Sequence, residues 1–448
     1  KVLMTDMLEK AQRMLEKYPL CNHCLGRQFA LLGYGLDNQN RGEALKLLLT
    51  MKAHQLALEK NKTGFTLLKT LASNGSFDMA AEILKRMKKK VEGKKHCHLC
   101  NERFDSIQDL VNLSVSQLQH YEYATFLVGL ELPTQVEEGE DEFKAEFEVK
   151  HGESMRNAFS REIGKKIVEA TGKATDYKKP DVVILLNPFE DQVRVQVNPI
   201  YITGRYRKLV RGIPQSLWLC SKCRGRGCER CNWTGKMYPE SVEEIIGEPV
   251  RQQTMGEDMA LHGAGREDID ARMLGRGRPF VIEVKKPKKR FLNLRKLAKT
   301  INDGAQGKVR VSSLRFANKE WVRQLKKTEA ATKVYRAIVK FDKAILEKEL
   351  AQIEKRLANA VVRQQTPRRV LHRRADLVRE KHIYEAKVKR LTPNRIELRL
   401  KCQGGLYIKE LITGDTGRTT PNIAEIVGAQ ATPLELDVLS VLMKEEKN

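Results

Sequence analysis

Long apolar runs are absent from this sequence, and their absence excludes one large class of proteins. A helix needs roughly 18 consecutive apolar residues to span a bilayer, and no stretch of the chain approaches that length. Residues 4–18 alternate Leu and Met with Glu and Lys, which is typical of an amphipathic helix and not of a signal peptide. We therefore expect a cytoplasmic protein that is not inserted in a membrane.

Acidic residues are scarce relative to basic ones. The 448 residues include 82 Lys and Arg but only 57 Asp and Glu, so the formal net charge is +25. The excess is spread along the chain, which favours a polyanionic partner, and nucleic acid over a membrane surface. Each basic segment alone is typical of a solvated face, but together they fit a surface that follows the phosphates of a folded RNA. These segments are 85–95, 205–211, 285–295 and 368–374.

Only one of the nine cysteines lies outside a Cys-x-x-Cys pair. In a cytosolic chain such pairs indicate metal binding rather than disulfides. Two widely separated pairs would close one tetrahedral zinc site around a helical insert, with reduced buried thiols as the alternative. The cysteines of this first quartet are Cys21, Cys24, Cys97 and Cys100. Less favoured substitute ligands are His23, His96 and His98.

A second quartet packs the same ligand set into twelve residues: Cys220, Cys223, Cys228 and Cys231. Its two pairs are closer together than those of an ordinary zinc ribbon, so a second zinc site is possible but less firmly indicated than the first. The segment Arg224-Gly225-Arg226-Gly227 supplies the flexibility to fold the halves together. Four ligands leave no open coordination position, so both quartets are interpreted as structural.

The remaining pattern predicts an α+β protein of roughly two to four domains. Residues 136–141 are acidic and are expected to form a linker, at a domain edge or in an exposed loop, followed by an alternating strand at 143–149. From residue 280 onward short strands alternate with helices, which favours a mixed or largely antiparallel sheet with flanking helices. No internal repeat is present.

The segment 265–275 concentrates three acids, Glu267, Asp268 and Asp270, in a strongly basic chain. Glycines bound it at both ends, which predicts a loop and strand rather than a helix interior. Carboxylates among so many cations are a candidate reaction centre, and a turn with solvated acids is the alternative. Two tyrosines, Tyr335 and Tyr407, gain interest beside such a centre, because an enzyme that acts on a base must flip it out and stack it on something flat.

The motifs around these residues resemble those of a known enzyme family. Gly265-Arg266-Glu267-Asp268 is similar to the Gly-x-x-Asp motif of pseudouridine synthases, and the segment 405–411 is similar to their Gly-x-Tyr-Ile-Arg/Lys motif. Together with residues 21–30, 266–274 and 334–337, these motifs resemble the archaeal Pus-ten family of tRNA pseudouridine synthases. One departure is Glu267, where several sister families have Thr.

The resemblance implies a four-part chain and a set of site residues. The parts are a zinc-binding module with a helical insert at 1–105, a THUMP-like RNA-binding domain at 106–217, a Cys-rich zinc segment at 218–240 and the catalytic domain at 241–448. Asp268 would be the catalytic aspartate and Lys409 would pair with it. The other residues expected to contact the uridine or its RNA are Tyr335, Tyr407, Arg266 and Leu436.

The implied reaction is the isomerisation of T-arm uridines of tRNA, at positions 54 and 55, with no organic cofactor and no obligate protein partner. Asp268 would act as nucleophile or as base, and the sequence leaves both roles open. The main alternative is a non-catalytic, zinc-containing tRNA-binding protein. A thiolating enzyme or methyltransferase is disfavoured, because the chain has neither a Ser-Gly-Gly-x-Asp-Ser loop nor a Gly-rich turn for S-adenosylmethionine.

Overall fold

The computed structural model describes residues 2–327 and 331–442. The chain divides into two compact units between Asn198 and Pro199. Three short parts of the chain lie outside the described residues. They are Lys1 of the predicted zinc-binding module and residues 328–330 and 443–448 of the predicted catalytic domain.

The first unit is helical at its start and gains a small sheet later. Its helices are α1 (Val2–Lys17), α2 (Asn22–Gly26), α3 (Asn38–Leu58), α4 (Lys62–Ser73), α5 (Asp78–Arg86), α6 (Ile107–Leu118), α7 (Thr134–Glu146) and α8 (Met155–Thr171). Its strands are β1 (Thr125–Leu130), β2 (Ala174–Thr175), β3 (Val182–Asn187) and β4 (Gln192–Val197). The sheet order is β2-β1-β3-β4, with β1 parallel to β2 and β3 and with β4 antiparallel to β3.

Helix α7 replaces the linker and strand that we predicted at 136–149, and those two predictions are wrong. Phe143 and Phe147 satisfy an alternating pattern, but they are also four residues apart, which places both on one helix face. Their rings are 4.9 Å apart and both are buried. Glu140 is buried on α7, pairs with buried Arg27 and accepts the backbone N–H of Met155 at 3.0 Å. The acidic stretch therefore contributes to the core.

The second unit is built on one large sheet with helices against it. Its strands are β5 (Ile200–Lys208), β6 (Asp258–Gly263), β7 (Ala271–Lys285), β8 (Val309–Ala317), β9 (Thr332–Phe341), β10 (Val361–Gln365), β11 (Val378–Thr392), β12 (Arg395–Cys402), β13 (Thr419–Thr420) and β14 (Ala431–Leu442). Its helices are α9 (Val242–Thr254), α10 (Leu294–Gly304), α11 (Lys319–Lys327), α12 (Glu347–Leu357), α13 (Ile408–Thr413) and α14 (Ile423–Val427).

The strand order is β13-β10-β11-β12-β9-β14-β7-β5-β8, with β6 added on β7. All pairs of the large sheet are antiparallel except β14 with β7, so the sheet is mixed and largely antiparallel, as predicted. Strand β5 belongs to this sheet, whereas we had placed residues up to 217 in the THUMP-like part. The α+β fold class is confirmed.

A buried carboxylate ties three central strands together. Asp437 of β14 has no exposed side-chain surface and accepts hydrogen bonds from Arg272 of β7 at 2.9 Å and from Arg336 of β9 at 3.0 Å. Arg211, which follows β5, contacts the same carboxylate at 2.7 Å. Burial alone would raise the pKa of Asp437, but the hydrogen bond from Arg272 and the charge of Arg211 lower it below its usual value.

Candidate active site

The acidic loop, residues 264–270, joins the antiparallel strands β6 and β7. Gly265 turns the chain at a φ of 77°, a backbone conformation that side chains disfavour. The loop closes where the N–H of Ala271 donates to the carbonyl of Asp268 at 3.0 Å. The segment is therefore a loop followed by a strand, as predicted.

Glu267 anchors the acidic loop to the buried residues beneath it. It is buried, and its carboxylate accepts from Arg278 Nε at 2.9 Å and from the Tyr206 hydroxyl at 3.0 Å. Arg278 also donates to the carbonyl of Ala264 at 2.7 Å. The role of Glu267 is therefore structural, because removing its carboxylate would leave the buried Arg278 without its charge partner.

Lys208 fixes the loop backbone at the position of the candidate catalytic residue. Its Nζ atom is buried and donates to the carbonyls of Asp268 and Ile269, each at 3.1 Å, and to that of Ile213 at 2.8 Å. Burial lowers the pKa of Lys208 from its usual value, opposed by the nearby charge of Glu267. The loop backbone is thus held by a buried cation, and little of it has to be ordered on substrate binding.

The carboxylate of Asp268 is partly exposed and lies between two cations. Its Oδ2 atom is 3.3 Å from Arg369 and 3.4 Å from Lys409. Opposite charges at these distances fix the direction of the carboxylate. Lys409 is shared, because it lies closer to Asp270, at 2.7 Å. Burial opposes, but the hydrogen bond from Lys409 lowers the pKa of Asp270 below its usual value.

Arg369 is a site residue that the sequence did not single out. It contacts Asp268, donates to Glu410 at 2.7 Å and places its guanidinium 5.9 Å from the centre of the Tyr407 ring. It lies in a short 3-10 helix, Arg368–Arg373, within the basic segment that we had interpreted only as RNA-binding surface. The sequence signal was present, but it was shared by every arginine of that segment.

Tyr407 lies at the N-terminus of α13 with its backbone clamped. Gln364 accepts from its N–H and donates to its carbonyl, both at 2.9 Å. Its hydroxyl accepts a hydrogen bond from Arg374 at 2.9 Å. The ring therefore lies beside Arg369, which itself contacts Asp268, and its backbone and hydroxyl are held by hydrogen bonds. A flat ring held in this way could serve as a stacking surface for a base.

Tyr335 is largely buried. It is on β9 with only 9% of its surface exposed, packed in the apolar core of the second unit. Burial raises the pKa of Tyr335, and the charge of Asp268 adds to the rise. An incoming base would meet no more than the accessible edge of this ring.

Leu436 and Arg266 have different environments. Leu436 is buried in the apolar core, and its carbonyl accepts from Arg211 at 2.6 Å, while Arg211 also donates to the carbonyl of Asp270 at 2.8 Å. Arg266 is exposed, with its guanidinium 5.8 Å from the centre of the Trp218 ring.

Each cysteine quartet brings four sulfur atoms together as possible metal ligands. Within each, the four sulfur atoms lie within 4.8 Å of one another. The sulfurs of Cys21 and Cys100 are 3.6 Å apart, and those of Cys220 and Cys228 are 3.8 Å apart. Zinc–sulfur bonds of about 2.3 Å place neighbouring sulfurs about 3.8 Å apart in a tetrahedron. Each quartet can therefore hold a metal ion. His23 instead stacks on Phe104, at 4.6 Å.

Among the described helices, none has the length and apolar character needed to cross a bilayer.

Comparison with known proteins connects these features. The family model described as "Pus10, C-terminal" matches residues 201–442, and the one described as "Pus10 THUMP domain, archaeal" matches residues 110–187. A protein of Methanocaldococcus jannaschii named tRNA pseudouridine synthase Pus10 is 43% identical over 96% of this chain and 93% of its own. A protein of the same name from Methanothrix thermoacetophila is 40% identical over 98% of this chain and 95% of its own. A solved Cbf5-Nop10-Gar1 complex matches at 15% identity over 52% of this chain and 47% of that chain, with a TM-score of 0.30.

Proposed function

Since the chain belongs to the Pus10 family of tRNA pseudouridine synthases and is therefore an RNA isomerase, we propose that it converts uridines 54 and 55 of the tRNA T-arm to pseudouridine, with Asp268 as the catalytic aspartate. One observation carries the choice of residue. Of the three acids in the loop, Asp268 alone combines partial exposure with contacts to both Arg369 and Lys409 beside the Tyr407 ring. Glu267 is buried, and Asp270 extends to solvent with 64% of its side chain exposed.

The proposed reaction needs no external reductant, oxidant or energy source. The bond between the ribose C1′ and N1 of uracil breaks, the base turns, and C1′ bonds to C5. The proton on C5 is lost and N1 gains one, so the atoms balance. Asp268 acts on the flipped nucleotide as nucleophile or as base. Arg369 and Lys409 hold its carboxylate in place, and Tyr407 supplies a flat surface for the base.

The chain carries its own means of holding an RNA polyanion, and tRNA is its proposed partner in the cytoplasm. The net charge of +25 supplies long-range attraction. The binding-only alternative is set aside, because the relatives that match nearly the whole chain are named as synthases.

We also propose that the metal in both quartets is zinc. Thiolate donors in a closed tetrahedron are the ligand set that structural zinc prefers. The first ion would clamp the segment between Cys24 and Cys97, and the second would fold the segment between Cys220 and Cys231. Zinc would supply structure and take no part in the isomerisation.

The substrate proposal is tested by mapping pseudouridine in an unmodified tRNA transcript after incubation with the full chain. We expect new pseudouridine at positions 54 and 55. Transcripts with cytidine at either position identify each product separately. Modification confined to another arm of the tRNA would contradict the T-arm assignment while leaving the synthase activity intact.

Replacing Arg369 with alanine is expected to slow product formation by about 100-fold, because removing one preorganised cation from a reacting carboxylate has a cost of this order. Asp268 would keep only Lys409, which Asp270 holds more closely. The measurement is the single-turnover rate at saturating enzyme. Arg369→Lys should recover part of the loss. Arg356→Ala, which removes an exposed arginine from α12, is the matched control. Equal rates for Arg369→Ala and Arg356→Ala would show that Arg369 does not act on Asp268.

A further inference from the structure

The second cysteine quartet sits in a small knuckle, residues 217–238, whose backbone is tightly held. Leu219 and Lys236 form an isolated antiparallel bridge across its base. The N–H of Cys220 donates to the carbonyl of Gly235 at 2.7 Å. Backbone N–H groups of Cys228 and Gly235 point at the sulfur of Cys231, at 3.2 and 3.3 Å. With four thiolates converging, this short segment is a rigid platform and not a flexible loop.

The knuckle displays a tryptophan in an unfavourable backbone conformation. Trp233 has a φ of 60° and follows Asn232, at 48°. A bulky residue with positive φ is uncommon and strained. The N–H of Trp233 is held by the carbonyl of Cys228 at 2.9 Å. Trp233 is nevertheless 73% exposed. Burial of the ring in the core therefore does not offset the backbone strain. This geometry presents a flat apolar face outward.

The segment that carries Trp233 is rich in cations. The knuckle contains five basic residues and one acidic residue, Glu229. Of the cations, Lys236 pairs with Glu244 of α9. The exposed ones are Lys222, Arg224, Arg226 and Arg230. An exposed aromatic ring within a group of cations has the chemistry that single-stranded nucleic acid needs, since every base has a stackable face and every nucleotide a phosphate.

The base of the knuckle is fixed beside the acidic loop. Trp218 packs edge-on against Tyr238, at 5.7 Å between ring centroids. The guanidinium of Arg266 also lies 5.8 Å from the centre of the Trp218 ring. Arg266 is two residues before Asp268 in the chain. The N–H of Leu217 donates to Glu243 at 3.0 Å. An RNA chain entering the site therefore has this knuckle next to the loop that carries the catalytic carboxylate.

We propose that the knuckle is a binding site for an unpaired nucleotide of the RNA substrate, in which Trp233 stacks on the base and Arg224 and Arg226 hold the adjacent phosphates. The inference rests on the proposed function, because it takes the RNA to be the one modified at Asp268. Stacking on an indole tolerates any base, so the site adds affinity and position, and the reading of sequence takes place elsewhere.

The test compares the affinity of full-length variants for an unmodified tRNA transcript. Trp233→Ala should weaken binding about tenfold or more, since stacking of one base on an aromatic ring has a contribution of that order. Trp233→Phe, which keeps a flat ring, should restore most of the affinity. Changing Arg224 and Arg226 together to alanine should lower the slope of log affinity against log salt by about 1.4, as loss of two single-strand phosphate contacts predicts. The matched control is Phe316→Ala, which removes an exposed ring from β8, at the sheet edge.

Metal content measured on each variant shows whether the knuckle stays folded. Binding by Trp233→Ala within twofold of the unchanged protein would overturn the proposal and leave the exposed ring to a protein contact. Equal losses for Trp233→Ala and Trp233→Phe, with metal retained, would overturn stacking. Asp268→Ala distinguishes failure of the knuckle proposal from failure of the proposed catalytic role of Asp268. If it abolishes product while Trp233→Ala leaves affinity unchanged, only the knuckle proposal fails.

Discussion

Replacing Asp268 with asparagine should reduce pseudouridine formation by a factor on the order of 10⁴ or more, while tRNA affinity stays within about threefold. Asparagine keeps the shape of the side chain but is neither a nucleophile nor a base at neutral pH. The backbone of the loop is held by Lys208 through carbonyl groups, which the substitution does not touch. The measurement pairs a single-turnover assay with an equilibrium binding titration.

The two neighbouring acids serve as controls with different expected outcomes. Asp270→Asn removes the closer partner of Lys409 and should lower the rate less than about tenfold, because Asp268 keeps both cations. Glu267→Gln should destabilise the second unit by about 3–5 kcal/mol, since it leaves buried Arg278 without its charge partner. Its activity should therefore fall together with its melting temperature. The assignment would be contradicted if Asp268→Asn kept the wild-type rate. It would also be contradicted if Asp268→Asn and Asp270→Asn both stayed folded and lost activity equally.

Removing metal should have the largest effect on stability. Purified protein is expected to contain two zinc ions, and stripping them with a chelator should lower the melting temperature of the first unit sharply. Structural zinc contributes about 10–16 kcal/mol of apparent binding free energy in small domains. The proposed first ion would join residues 79 positions apart, Cys21 and Cys100, so its loss would also release a long closed loop.

Single cysteine variants resolve the two ions. Cys24→Ser should retain one zinc and destabilise the first unit, whereas Cys223→Ser should retain one zinc and leave the melting of the first unit unchanged. Cys402→Ala is the matched control, because Cys402 is a buried cysteine of β12 outside both quartets. It should keep both ions. A Cys24→Ser variant with two zinc ions and the original melting temperature would show that the first quartet is not a metal site.

Features written in short stretches of sequence were predictable, and features that depend on distant partners were not. The Cys-x-x-Cys pairs and the loop before β7 follow from local spacing and glycines, and both are present. Phe143 and Phe147 fit a strand and a helix equally well until their burial is known. Residues 200–208 alternate as a strand in either unit, and only pairing with β7 and β8 assigns them to the second.

The site shows the same limit. The proximity of Arg369 to Asp268 depends on where the Arg368–Arg373 turn packs, which charge patterning does not reveal. Glu267 and Asp268 are adjacent in sequence, yet Glu267 is buried against Arg278, whereas Asp268 is partly exposed between Arg369 and Lys409. Composition alone assigns the same role to both acids. Their different roles become visible only with the three-dimensional contacts.

The position of β14 has a consequence for how the enzyme is made. This strand lies between β9 and β7, both of which leave the ribosome earlier. Until residues 431–442 are synthesised, Arg211, Arg272 and Arg336 lack the carboxylate of Asp437, and Arg211 also lacks the carbonyl of Leu436. Late insertion of a central strand is a long-range step of the kind that folds slowly. A nascent chain therefore contains the whole acidic loop before the sheet of the second unit can be completed, and we expect that unit to finish folding only after β14 has been synthesised.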